Sequence, residues 1–174
     1  MPMHIIIDGY NLIRQSAAFG RLDLESMQTG REALVDALAD YKRIKRHRIT
    51  VVFDGAGAPY GSPNRESVKG IAVIYSPRGE SADAIIKRMA AHGRQQALIV
   101  SSDRDIISYA ELKGAATIDS PAFEEKLMMA AHLAVEGGDA ETENSGWQAT
   151  TRKKGPRRRR SKKERRRCIK TSKL

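Results

Sequence analysis

The chain has 174 residues, enough for one domain with a substantial core and too few for two full ones. Its formal charge of +10 is unevenly placed: residues 152–174 hold fourteen Lys or Arg against one acid, Glu164, which leaves the rest of the chain at −3. A mildly acidic body with a strongly basic tail points to a polyanionic partner, the lone Cys168 excludes a disulfide framework or a Cys-based zinc site, and no apolar run is long enough to span a membrane.

The first element is the run His4 to Asp8, three isoleucines closing on an aspartate, which predicts a strand buried on both faces. A helix is expected over 24–45, with Leu34, Ala37, Leu38, Tyr41 and Ile44 on one stripe. "ITVVFDG" predicts a second buried strand, again ending on an aspartate, Asp54, and a Gly, Pro and Ser rich loop is expected over 55–67. A third strand over 71–76 leads through a turn at 77–79 into a helix over 81–92. A fourth strand, 97–101, runs into a helix over 103–113 that stops at Gly114. A short fifth strand, 116–118, precedes a helix capped by Ser120 and Pro121 and reaching residue 135.

Strands alternating with helices over short connections give an α/β doubly wound domain with a parallel sheet over 1–135. Residues 136–151, without periodicity and rich in acids and glycine, read as a flexible linker, and 152–174 as a disordered basic tail.

In such a sheet all strands present their carboxyl ends at one edge, where ligands bind. Asp8 follows the first strand, Asp54 the second, Glu80 and Asp83 the third, Asp103 and Asp105 the fourth. Carboxylates gathered there repel one another unless a cation neutralises them, and an oxygen-only set without Cys or His suits Mg²⁺ or Mn²⁺. That is the chemistry of metal-assisted phosphodiester hydrolysis. Taken singly, each acid has a structural reading: Asp8 and Asp54 as turn residues, Asp83 as a helix-dipole partner, Ser102 with Asp105 as a capping box. Four successive strand ends carrying acids are harder to assign to independent turns and caps.

"IIIDGYNLI", "VVFDG", "GESADAIIKRM", "VSSDRDI" and the tail "GPRRRRSKKERRR" together resemble the NYN-domain family, in its YacP-like branch, which is related to PIN-domain nucleases. The resemblance implies a PIN-like three-layer α/β/α fold, metal-dependent RNA endonuclease activity, and mRNA cleavage in association with the ribosome. By position it makes Asp8, Asp83 and Asp103 the principal metal acids, Asn11 an orienting residue for a metal water or the scissile phosphate, and Asp54 and Asp105 outer members. Ala84 stands where relatives often carry a further acid, which leaves open whether one ion or two is held.

Tyr10, Tyr60 and Arg65, in the loops around the crevice, are candidates for stacking on or contacting RNA, with surface loop residues as the alternative. In the tail, Arg157, Arg158, Arg159, Arg160, Lys162, Lys163, Arg165, Arg166 and Arg167 are expected to neutralise phosphates without reading sequence. The absence of a leader pattern adds a cytoplasmic expectation. The combined reading is an endoribonuclease leaving 5′-phosphate and 3′-hydroxyl ends. The alternative is a non-catalytic RNA- or ribosome-binding module on a degenerate PIN-like fold.

Overall fold

The computed structural model describes residues 3–61 and 63–136. The linker from 137 onward and the whole basic tail, with Arg157 to Arg160, Lys162, Lys163 and Arg165 to Arg167, lie outside the described residues.

The elements in chain order are β1 (His4–Asp8), α1 (Gly9–Gln15), α2 (Ala17–Glu25), α3 (Met27–Lys45), β2 (Arg48–Phe53), β3 (Arg65–Val68), β4 (Ile71–Tyr75), α4 (Ala82–Gly93), β5 (Ala97–Val100), α5 (Arg104–Leu112), β6 (Ala116–Ile118) and α6 (Ser120–Glu136). They build a six-stranded sheet in the order β3-β4-β2-β1-β5-β6, parallel except for β3.

The isoleucine run of β1 is buried on both faces because side chains alternate across the sheet. Ile5 and Ile7 face a core with Leu34, Leu38 and Tyr41 of α3 and Phe123 and Leu127 of α6. Ile6 faces the other layer, with Ile85 and Ile86 of α4 and Ile106 of α5. Each such side chain contributes about 1.5–3 kcal/mol by leaving water. The architecture is therefore a three-layer α/β/α sandwich.

Three sequence expectations are corrected. The helix expected over 24–45 is two: Ser26 ends α2 in extended backbone, and its hydroxyl accepts the Gln28 amide (3.2 Å), starting α3. The loop expected over 55–67 ends in a further strand, β3, which pairs antiparallel with β4 through a turn where Lys69 and Gly70 both adopt positive φ. Polar residues at alternate positions hide such an edge strand from a search for apolar runs. The last helix is capped by Asp119, whose carboxylate accepts the Ala122 amide (2.8 Å), and not by Ser120. Among the described residues no helix is long and apolar enough to cross a membrane.

The turn after β2 is unusually tight: a Cβ on Gly55 would lie 1.8 Å from the Ser76 carbonyl oxygen, which belongs to the backbone. Gly55→Ala is expected to destabilise the protein by about 1–3 kcal/mol in urea denaturation through overpacking. Gly114→Ala, in open space at φ +86, should cost only the strain of a left-handed residue, about 1–2 kcal/mol. A Gly55→Ala protein as stable as wild type would refute the close approach.

Candidate active site

The chain fills the sheet outward from β1 through β2 to β4, then returns to the other side of β1 with β5. The reversal falls between β1 and β5, and the crevice beyond their carboxyl ends is where doubly wound folds place ligands. Asp8 ends β1 there and Asp103 begins α5.

Asp8 is 8 % exposed. One carboxylate oxygen accepts the Asn11 amide (3.3 Å) and so caps α1; the other accepts the Ser101 hydroxyl (3.1 Å). The same Ser101 oxygen accepts the backbone amide of Asp103 (3.1 Å). One buried hydroxyl thus ties the acid ending β1 to the peptide that positions the acid after β5. Burial pushes the Asp8 carboxyl up to about 6, with the charges of Asp83 and Asp103 adding to the rise and the two hydrogen bonds opposing it.

Asp103, half-buried, is the N-cap of α5: one oxygen accepts the amides of Asp105 (2.7 Å) and Ile106 (3.4 Å). Asp83 stands half-buried in the first turn of α4, behind the Ser81 cap. The capping box expected of Ser102 and Asp105 is not formed. Ser102 instead donates to Gln15 Oε1 (2.9 Å) and accepts the Ser120 amide (3.1 Å). Asp105 faces outward, 77 % exposed, and pairs with Lys87 Nζ.

Lys87 is a residue that strand-end reasoning missed. It lies one turn after Asp83 on α4. Its bond to Asp105, with the charges of Asp105, Asp83 and Asp103, holds its ammonium above the usual lysine range. The i, i+4 spacing from Asp83 was the available signal. Ser101, inside the run "VSSD", was missed too.

Asn11 holds the crevice together. Its side-chain oxygen accepts the Ser102 amide (2.9 Å), the Ser120 hydroxyl (2.7 Å) and Gln15 Nε2 (3.2 Å), joining α1 to the start of α5 and of α6. These bonds use the oxygen alone and leave Nδ2 as the group it can offer a ligand.

The outer candidates stand apart. Asp54 lies at the same edge but bonds its own turn, at the Ala56 amide (3.1 Å). Glu80 pairs with Arg88. Tyr10, expected in a loop and open to a base, is a correction: it is 8 % exposed in α1, packs edge-on against Phe53 at 5.1 Å, and its hydroxyl accepts Arg31 Nη1 (2.9 Å). Arg31 also donates to the Gly57 carbonyl, so this set pins the turn after β2. Tyr60 is fully exposed, and Arg65 stands exposed on edge strand β3 opposite Ile74, three strands from β1.

Among the described residues no three Asp, Glu, His or Cys side chains lie close enough together to hold a metal ion. The chemistry of the set nevertheless fits one of a particular kind. Mg²⁺ and Mn²⁺ are bound through oxygen, and Mg²⁺ keeps several waters with only one or two carboxylates. A buried acid whose pKa is pushed up by its burial and by the charges of Asp83 and Asp103 is what such an ion would relieve.

Residues 5–169 match the family model of the YacP-like NYN domain. The chain belongs to that family. This is a nuclease-type, RNA-related family. The uncharacterized protein YacP of Bacillus subtilis is 29% identical over 86 residues, covering 49% of this chain and 50% of that protein; the match thus spans about half the length of the curated relative. The crystal structure of Rae1 (YacP) from Bacillus subtilis superposes with a TM-score of 0.67 at 21% identity, covering 79% of each chain. A single-site mutant of it gives 0.64 at 22% identity, over 78% of this chain and 80% of that one. The shared fold is the α/β/α sandwich with its mostly parallel sheet.

Two predictions follow from the geometry of the acids. An acid whose pKa is raised on folding, from 3.8 to about 6 at Asp8, takes up a proton relative to the unfolded chain, so stability falls as pH rises through that window. Removing the charge should flatten the fall: in EDTA, Asp8→Asn should gain up to about 2–3 kcal/mol over wild type above pH 6. Parallel urea-denaturation profiles from pH 4 to 8 would contradict this. At Asp103 the cap and the charge separate. Asp103→Asn keeps the cap oxygen and should hold stability within about 0.5 kcal/mol, whereas Asp103→Ala should lose about 1 kcal/mol. Equal loss in both would place the carboxylate charge, not the cap, at the origin.

Proposed function

We propose that this chain is a divalent-cation-dependent endoribonuclease that hydrolyses single-stranded RNA to 5′-phosphate and 3′-hydroxyl ends. The observation that carries the reading is the buried Asp8 carboxyl, linked through Ser101 to the Asp103 peptide and with its pKa pushed up by burial and by the charges of Asp83 and Asp103, at the switch point of the sheet.

Asp8, Asp83 and Asp103 would hold Mg²⁺ or Mn²⁺, which when bound supplies a water of lowered pKa and polarises the phosphoryl oxygen. The protein's own residues do the rest. Ser101 fixes Asp8 against the Asp103 peptide, and Asn11 fixes the loop before α5 while offering Nδ2 to a phosphate or a water. Lys87 draws Asp105 away from the other acids and places a cation beside them, which lowers the repulsion an incoming phosphodiester meets. The N-termini of α4 and α5 open on the same crevice and favour negative charge there.

The basic tail extends the proposal to mRNA at the ribosome, in the cytoplasm. Fourteen cations within 152–174 would engage ribosomal RNA or the message without sequence selectivity. A second reading, a non-catalytic RNA-binding module, is favoured by Ala84 and by the open spacing of the acids.

Labelled single-stranded RNA separates the two. Cleavage with Mn²⁺ and none in EDTA is expected, with Asp8→Asn and Asp103→Asn each slower by at least about tenfold, some 1.4 kcal/mol in barrier, and Asp105→Asn close to wild type. Uncut RNA under all conditions, ribosomes included, selects the binding module. Full activity in Asp8→Asn would remove the site.

A further inference from the structure

The opposite edge of the sheet carries a second charged surface, of the other sign. The sequence from α3 into β2, "KRIKRHR", places Lys42, Arg43, Lys45, Arg46 and Arg48 within seven residues, and the β3–β4 turn brings Lys69 beside them. Lys42 Nζ donates to the Gly70 carbonyl, which clips that turn to the last turns of α3. Between them lies an open groove of about 780 Å³, lined by Asp36, Asp40, Lys42, Arg43, Arg46 and Lys69. Four cations thus face two acids in the groove, with Lys45 and Arg48 adjacent in sequence. Both acids sit in exposed pairs, Lys69–Asp36 (2.6 Å) and Arg43–Asp40 (3.4 Å), whose partners exchange readily for phosphate oxygens.

Complementing the α3 dipole accounts for Lys42, Arg43 and Lys45. It extends to Arg46 at the C-cap but does not account for Arg48 at the start of β2 or Lys69 on another element. We propose that this surface binds the phosphate backbone of base-paired RNA, apart from the strand that enters the crevice. The proposal deepens the ribonuclease reading and rests on it for the identity of the polyanion.

One further observation favours RNA. Arg48 pairs in register with His4, at the far end of β1 from Asp8, about 13 Å along the strand. One molecule can therefore sit on a duplex and still present its crevice to an unpaired strand. A membrane surface fits less well, because Ile44 alone among the residues of this stretch offers a large exposed apolar side chain.

The test is binding of the full chain to an RNA hairpin over a salt series. Changing Arg43, Lys45, Arg46 and Arg48 together to Gln should weaken binding at least tenfold near physiological salt and lower the slope of log K against log salt by about 3. Changing the three arginines to Lys should leave both as in wild type, and cleavage of a short unpaired RNA at saturation should not change. Should the fourfold variant not fold, Arg43→Gln with Arg48→Gln should give roughly half the slope change. Unaltered affinity and slope would overturn the proposal, as would wild-type protein that binds anionic phosphatidylserine vesicles and no hairpin. Slope loss in a protein that cuts no RNA would uphold this surface and defeat the nuclease reading.

Discussion

The hydroxyl of Ser101 stands between a carboxylate that should not be buried and the chain segment that makes its burial tolerable. Asp8 sits at the end of a strand flanked by β2 and β5, where an isolated charge would cost several kcal/mol. Two hydrogen bonds offset part of that cost, and a pKa of about 6 shows that the remainder persists. The bridge is geometric as well as energetic. Because Ser101 also accepts the Asp103 amide, the distance between the two acids is set by backbone and a fully buried side chain, not by mobile rotamers. A site built this way loses little entropy when a ligand arrives.

The parallel topology imposes an electrical polarity on the domain. Every helix that returns across the sheet begins at the carboxyl edge and ends at the amino edge, so acids suit the first and cations the second. The chain follows this rule at both edges and exceeds it at both. At the carboxyl edge Asp8 is buried at a strand end, a burial that capping α1 does not require, and is linked through Ser101 to the Asp103 peptide; at the amino edge Arg48 and Lys69 extend a cationic surface past the end of α3. Excess over what stability asks is where function is to be sought. The two surfaces lie on opposite ends of one rigid sheet, which fixes their separation.

The core strands were legible because each is a run of branched apolar residues bounded by polar ones, and the acids were legible because strand ends fall on one edge. Helix α1 was not, since "GYNLIRQ" begins with Gly and has under two turns of pattern. Strand β3 was hidden by its half-exposed face, Tyr10 by a sequence that reads as a turn, and the true cap of α5 by competition among Ser102, Asp103 and Asp105. In that contest the residue with extended backbone and a carboxylate aimed at two amides wins, and spacing alone cannot identify it.

The sequence "DGYN" then acquires a division of labour. Gly9 admits the ring of Phe53, which a Cβ would meet at 2.3 Å, and Tyr10 leans on that ring from the same helix. Asp8 and Asn11, three residues apart, face the crevice from consecutive ends of one turn. Asp8 binds the first turn of α1 to the end of β5; Asn11 binds it to the starts of α5 and α6. The two polar residues therefore close the sheet edge as a unit, and loss of the Asn11 oxygen would free the Ser102 peptide that precedes Asp103. A four-residue stretch so placed sets the position of acids nearly a hundred residues further along the chain, which explains why the strand ends where it does.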